Sequence, residues 1–308
     1  MIMPVVSIVM SVYNGKSLLP ATMQSMLNQT FTDFEFIIID DGSNDGATDL
    51  LRDYANRDPR IRLTVRENKG LTYTLNEGLR QATAPLIARM DADDISLPDR
   101  LEKQVRFMNE HPEVVLLGGA HDYIDVQGRR LFTIRPPLDD ASLQQQCLEG
   151  TTPICHPLAM FRRDTVLKVG GYDESYSVAQ DLELWLRLGE VGKLACLPDV
   201  ILQYRLHEKS MSETRQSLQV SEMRQACEAA WKRRGIQGTF KGEKGWRADG
   251  QAGSILRQTL KFGWWAWKSG EKSTARSYGF RAIRLSPFSL EGYKLVMASF
   301  KSTSGRTG

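Results

Sequence analysis

The chain has 308 residues, 41% hydrophobic and 25% charged, with a formal charge of +3, which is enough apolar material for a large core under a soluble protein's charge content. No apolar stretch reaches the about eighteen residues a bilayer span needs, and no signal peptide precedes the first strand-like run, so a cytoplasmic location is predicted. The four cysteines, Cys147, Cys155, Cys196 and Cys227, show no Cys-x-x-Cys spacing; this argues against a zinc site or a disulfide framework and predicts reduced, structural thiols.

Val5 to Met10 is a short β-rich run bounded by Pro4 and Tyr13-Asn14-Gly15, and reads as a buried strand. Leu18, Leu19, Met23, Met26 and Leu27 then form a helical stripe. A second strand, Phe34 to Ile39, stops at Asp40-Asp41-Gly42-Ser43, and a helix over about 46–56 leads to a third strand, Ile61 to Val65. Asn68-Lys69-Gly70 turns into a helix with Leu71, Leu75 and Leu79 on one face, and a fourth strand over 85–90 delivers Asp91, Asp93 and Asp94. Strands alternating with helices predict right-handed βαβ units and a parallel sheet covered on both faces, with ligands beyond the carboxyl ends of the strands. Asp40-Asp41 and the Asp91–Asp94 cluster both fall on that edge.

The acidic cluster has two readings. Extended backbone would put Asp91 and Asp93 on one side, and clustered hard oxygen ligands suit Mg²⁺ or Mn²⁺. Alternatively, the cluster is a polar turn before the helix marked by Pro98 and by Leu97, Leu101, Val105 and Met108. If the carboxylates only repel one another, Asn at position 91 or 93 leaves the fold intact and slightly more stable without the cation. Further on, 114–119 reads as a strand, 121–137 as a hairpin around Gln127-Gly128, 170–174 as a turn, 180–187 as a helix, and 200–204 as a strand ending in Arg205 and His207.

Cut after Glu213, the charge divides unevenly. Residues 1–213 carry 22 Lys+Arg against 31 Asp+Glu, whereas 214–308 carry 18 against 6 together with five of the six tryptophans. Leu256, Leu260, Trp264 and Trp267 make a helical stripe near Arg257, Lys261 and Lys268. Such a stripe either forms the core of a helical appendage or lies in a membrane interface, and the second reading predicts peripheral contact with the cytoplasmic face through 254–300. Gly263, Ala275, Ala282 and Pro287 weakly resemble one tetratricopeptide helix pair. No recognised nucleic-acid motif accompanies the basic charge.

Over residues 4–212, seven motifs in order resemble the family 2 glycosyltransferases. They are Val6 to Asn14, Ile38 to Ser43, Asn68-Lys69-Gly70, Met90-Asp91-Ala92-Asp93-Asp94, Gly170 to Glu174, Gln180-Asp181, and Tyr204-Arg205-Leu206-His207. The resemblance implies an α/β GT-A fold, a Rossmann-like and mostly parallel sheet flanked by helices, as a catalytic domain over 1–213, with a C-terminal α-helical appendage over 214–308. It also implies that Val12 and Tyr13 pack against the base of a nucleotide-sugar, Asp41 accepts a hydrogen bond from a uracil ring, and Lys69 belongs to the nucleotide site.

On the same resemblance Asp91 and Asp93 hold Mg²⁺ or Mn²⁺ on the donor diphosphate, and Asp181 is the general base of an inverting transfer to a glycan or lipid-linked glycan. The alternative for Asp181 is a helix cap. Gln180 stands where many relatives have Glu. His207 completes the metal shell with Arg205 reaching a phosphate, or is an ordinary strand-end histidine; His156 lines the sugar or acceptor pocket, or is structural. The absence of a Gln-x-x-Arg-Trp motif and of membrane spans predicts transfer of single residues. A nucleotidyltransferase, which would be expected to carry a Gly-rich loop after the first strand, and a non-catalytic glycan-binding protein are the competing readings.

Overall fold

The computed structural model of the chain describes residues 3–207, 216–242 and 255–301; Trp246 and the proposed boundary after Glu213 lie outside the described residues. The apolar runs read from the sequence form strands. Val6–Val12 (β1), Phe34–Asp40 (β2), Ile61–Val65 (β3) and Leu86–Asp91 (β4) are parallel, in the order β3-β2-β1-β4. Helices Leu19–Leu27 (α1), Ala47–Arg57 (α2) and Leu71–Gln81 (α3) make the crossovers. Because β2 and β4 flank β1 on opposite sides, the strand order reverses between β1 and β4, the place where open α/β sheets bind ligands beyond the carboxyl ends of their strands. Register aligns the three ends, with Val12 opposite Asp40 and Ser11 opposite Asp91.

The second half of the sheet adds antiparallel pairs to this parallel core, among them the hairpin expected around Gln127-Gly128. After Ile95–Ser96 (β5), Arg100–Glu110 (α4) and Val114–Ile124 (β6) come Arg130–Ile134 (β7), Asp140–Leu148 (α5), Met160–Arg162 (β8), Arg163–Lys168 (α6), Gln180–Leu188 (α7) and Lys193–Arg205 (β9). β8 inserts antiparallel between β4 and β6, and β5 pairs antiparallel with β9. Three- and two-residue strands are too short to carry a periodicity, so neither was visible as a run.

The chain forms two interleaved units. The first contains the α/β body and also the described residues 216–242; the second contains 121–134, 204–207 and 255–301. The sequence expectation had a single cut between residues 213 and 214. Helix Gln216–Arg234 (α8) is tied into the first unit: Trp231 Nε1 donates to Leu148 O at 3.1 Å, and Arg234 reaches Leu186 O at 2.9 Å and Gln144 Oε1 at 2.8 Å.

In the second unit, Ile255–Lys268 (α9), Lys272–Leu285 (α10) and Leu290–Phe300 (α11) pack closely: a Cβ at Gly263 would lie 2.3 Å from Leu295, and one at Gly292 would lie 2.8 Å from Ile283. The buried cluster of Tyr123, Leu131, Leu206, Ala266, Tyr278 and Leu295 gathers Leu260, Trp264, Trp265 and Trp267 around it. Trp267 Nε1 donates to Ala298 O at 3.0 Å. The tryptophan stripe expected at a membrane interface is thus packing, because these rings cover a core that the hairpin at β6–β7 shares with α9. Among the described residues no helix is long and apolar enough to cross a membrane.

Candidate active site at the strand ends

The β2 end is built around Asp40 and Asp41. Asp40 is structural: its carboxylate accepts from Ser43 N at 3.0 Å and from the Thr48 hydroxyl, closing the turn into α2. Buried Asp41 instead organises the next loop. Its oxygens accept from Lys69 N at 2.8 Å and Gly70 N at 2.9 Å and pair with the Arg66 guanidinium, while its backbone N–H donates to Val12 O at 2.7 Å. Gly42 is required here twice over. Its φ is +81°, and a Cβ would lie 2.8 Å from Asn68 N. The Lys69 ammonium lies 4.7 Å over the Tyr73 ring, and the Tyr13 ring is exposed above buried Val12.

At the β4 end the strand stops at Asp91 and turns at Ala92-Asp93, so strand alternation is not what brings the acids together. The turn does so: Thr22 Oγ1 donates to Ala92 O at 3.0 Å and Asp94 O at 2.8 Å, and one carboxylate oxygen from each of Asp91, Asp93 and Asp94 falls within 4.8 Å of the others. Converging hard oxygen donors fit a divalent cation of the Mg²⁺ or Mn²⁺ type. Beneath them Arg89, fully buried two residues before Asp91 on the same strand face, pairs with the Asp91 carboxylate; its Nε has no hydrogen-bond partner. Burial pulls this guanidinium down, but Asp91 and Asp94 outweigh it and hold it protonated. The pairing corrects the expectation that Asn at 91 would leave the apo fold more stable, since it would strand a buried cation.

Asp181 opens α7 at its second residue, and its Oδ1 accepts from Leu182 N at 2.8 Å. Desolvation raises its carboxyl from an ordinary value near 3.8 to about 6; the amide bond and Arg89 oppose this, and Asp91 adds to it. Asp181 and Asp91 therefore share one electrostatic neighbourhood around Arg89. His156 belongs to it too. Its Nε2 lies 2.7 Å from Tyr172 Oη, and burial, then the Arg89 charge, keep the imidazole neutral. Burial and the acids Asp94 and Asp91 likewise push the Cys155 thiol up, which favours its protonated form.

α7 is positioned by residues far away in sequence. Trp185 is buried, with Nε1 donating to Ile154 O at 3.2 Å. The N-cap Ala179 has no side chain to cap the helix, and the buried Glu222 of α8 supplies the carboxylate. It accepts from Ser177 N at 2.9 Å, Ser177 Oγ at 2.8 Å, Val178 N at 2.8 Å and Ala179 N at 3.0 Å. No local signal marks Glu222, whereas Arg89, which the sequence reading passed over, stands as a charge inside an apolar strand run. Gln180, next to Asp181 in the chain, is buried, and its Oε1 has no hydrogen-bond partner. Glu222→Ala, which orphans four donors, is expected to lower stability by about 2–4 kcal/mol in urea unfolding, with Glu222→Gln intermediate. A change within about 0.5 kcal/mol, the ordinary range of surface substitutions, would refute the capping role.

Of the expected site residues, Val12, Tyr13, Asp41, Lys69, Asp91, Asp93 and Asp181 lie in the first unit, and Arg205 and His207 in the second. There the buried Arg205 donates through Nη1 to Asp125 O at 3.1 Å and to Val126 O at 3.3 Å, bracing the β6–β7 turn.

The family model for glycosyl transferase family 2 matches residues 7–170. The amylovoran biosynthesis glycosyltransferase AmsE of Erwinia amylovora is 33% identical over 213 residues, covering 68% of this chain and 79% of that protein. Among solved structures, the mannosyltransferase PcManGT from Pyrobaculum calidifontis, in complex with GDP-Man and Mn²⁺, superposes with a TM-score of 0.58 at 20% identity, over 96% of this chain and 79% of that one. TarS 1–349 of S. aureus, in complex with UDP-GlcNAc, gives 0.57 at 14% identity, over 96% and 89%.

Proposed function

The chain belongs to glycosyl transferase family 2, and from that premise we propose that it transfers a single sugar, with inversion, from a nucleoside diphosphate-sugar to a hydroxyl of a glycan or lipid-linked glycan in polysaccharide biosynthesis. The observation that carries the reading is the convergence of Asp91, Asp93 and Asp94 oxygens within 4.8 Å of one another at the end of β4, and the raised carboxyl of Asp181, which feels Arg89 and Asp91, supports it. A base poised near neutrality suits removal of a proton from an alcohol. Asp181 takes the acceptor proton as the oxygen attacks the anomeric carbon, and the bond from that carbon to the diphosphate breaks on the opposite side. Mg²⁺ or Mn²⁺ held by Asp91 and Asp93 would neutralise the charge gathering on the leaving diphosphate. Arg89 fixes the Asp91 carboxylate from below.

UDP is the donor nucleotide we favour. Asp41 spends three of its roughly four acceptor sites on Arg66, Lys69 and Gly70, leaving capacity for one donor such as a ring N–H, and Tyr13 offers an exposed ring face. Assignment of Arg205 to a phosphate and of His207 to the metal rests on the sequence resemblance alone. A nucleotidyltransferase has no support once the family is known.

Thermal melting with UDP and GDP, each with and without Mn²⁺, tests the donor assignment. UDP with Mn²⁺ at about a hundred times its dissociation constant should stabilise the protein by about 2.7 kcal/mol, and GDP by less. A larger shift with GDP would overturn the choice of uridine; no shift with either nucleotide would overturn the donor class.

A further inference from the structure

The last helix carries two apolar stripes, and only one of them is used. Gly292, Leu295 and Ser299 of α11 face inward and are buried. Leu290, Tyr293, Met297 and Phe300 recur at spacings of three and four on the opposite side, where Leu290 is 68%, Met297 64% and Phe300 65% exposed. Phe288, in the turn between α10 and α11, is 100% exposed, and Phe280 and Leu285 of α10 are exposed as well. A helix apolar on both faces belongs against a second apolar phase, and a patch of this kind on one hairpin marks an interaction surface.

The charge around the patch says what that phase is. From Lys272 to Leu290 the chain has no acidic residue and four basic ones, Lys272, Arg276, Arg281 and Arg284. Arg281, Arg284, Lys294 and Lys301 are exposed; Glu291 is the one acid of α11 and is paired with Lys294 at 2.6 Å. The Arg276 guanidinium lies 3.9 Å over the Phe300 ring and buttresses it in its outward position. Exposed Phe, Leu and Met ringed by Arg and Lys complement a surface that is anionic outside and hydrocarbon beneath.

We propose that the outward face of the α10–α11 hairpin, with Phe288, Leu290, Met297 and Phe300 as its inserting residues, docks on an anionic lipid bilayer. The surface differs from the Trp264–Trp267 stripe, which the fold consumes. The inference does not depend on the transferase reading, although a membrane-held glycan acceptor would give the docking a purpose.

Co-sedimentation of the full chain with vesicles of phosphatidylcholine alone, or with about a third phosphatidylglycerol, tests it. Binding should require the anionic lipid and weaken on going from about 0.05 to 0.5 M salt. The variant Phe288→Ser/Leu290→Ser/Met297→Ser/Phe300→Ser should bind at least about tenfold more weakly, and Arg281→Gln/Arg284→Gln/Lys294→Gln should lose most of the salt-sensitive part. Should the apolar variant unfold, Phe288→Cys carrying an environment-sensitive dye keeps the test open, because a fully exposed side chain can be exchanged without touching the core; its emission should rise on anionic vesicles only. The proposal fails if the wild-type chain ignores anionic vesicles at low salt, if the apolar variant binds as tightly as wild type, or if light scattering shows a dimer that the apolar variant makes monomeric, which would make the face a contact between two copies.

Discussion

Asp181→Asn should bind UDP with Mn²⁺ as the wild type does and transfer sugar about 10²- to 10⁴-fold more slowly, since a general base acts on the transition state and little on ground-state binding. The pH profile gives the signature. With the carboxyl at about 6, wild-type turnover should fall tenfold per pH unit below that value and level off above it. The residual rate of the variant should lack this acid limb. Retention of more than about a tenth of wild-type turnover would remove Asp181 from the chemistry.

The same variant should also be more stable than the wild type at neutral pH. A carboxyl raised in the folded state costs nothing below its unfolded value near 3.8, costs increasingly as pH rises towards about 6, and carries its full cost above that. The melting temperature of Asp181→Asn should therefore match wild type near pH 4 and exceed it near pH 7. A gain at pH 4 with none at pH 7 would contradict the burial that sets this group's pKa. Opposite signs on stability and rate are what a destabilised catalytic carboxylate produces, and a helix-capping Asp would lose both together.

The parallel half of the fold was legible because its strands are buried and so read as unbroken apolar runs; β1, β2 and β4 sit within a residue or two of where those runs predict. The acidic ends of β2 and β4 were equally readable as carboxylates directly after such runs, although Asp40 proves to close the turn into α2. β5 and β8 were not, since two or three residues carry no period, and the antiparallel pairings they make with β9, β4 and β6 went unseen with them, whereas the β6–β7 hairpin was read from Gln127-Gly128. The role of α8 was hidden for another reason. Glu222 meets Ser177, Val178 and Ala179 only after the chain has passed through β9, and composition assigned its segment to a basic appendage. The tryptophans misled in the same direction, as Trp264 and Trp267 have the spacing of an interfacial helix and of a core helix alike.

The paired acids of the β4 turn should respond unequally to neutralisation, and the inequality tests both the metal assignment and the role of Arg89. Asp93→Asn should leave stability within about 1 kcal/mol, because the residue sits on the turn and is only half-buried. Loss of a partner that only orients a metal ligand already costs 10- to 100-fold in metal affinity, so loss of a ligand should weaken Mn²⁺-dependent binding of UDP by about two orders of magnitude or more, leaving metal-independent binding unchanged. Asp91→Asn should lose the same binding and, in addition, about 3 kcal/mol of stability, because it removes the carboxylate paired with the buried Arg89 and leaves Asp94 to offset that charge from further away. Restoring neutrality underneath with Arg89→Met in the Asp91→Asn background should recover much of that stability and none of the metal-dependent binding. Calorimetric titration of UDP with and without Mn²⁺, beside urea unfolding of the four proteins, reads both quantities. Unchanged Mn²⁺-dependent affinity in Asp93→Asn would end the metal assignment, while equal stability of Asp91→Asn and Asp93→Asn would show that the buried pair does not hold the turn.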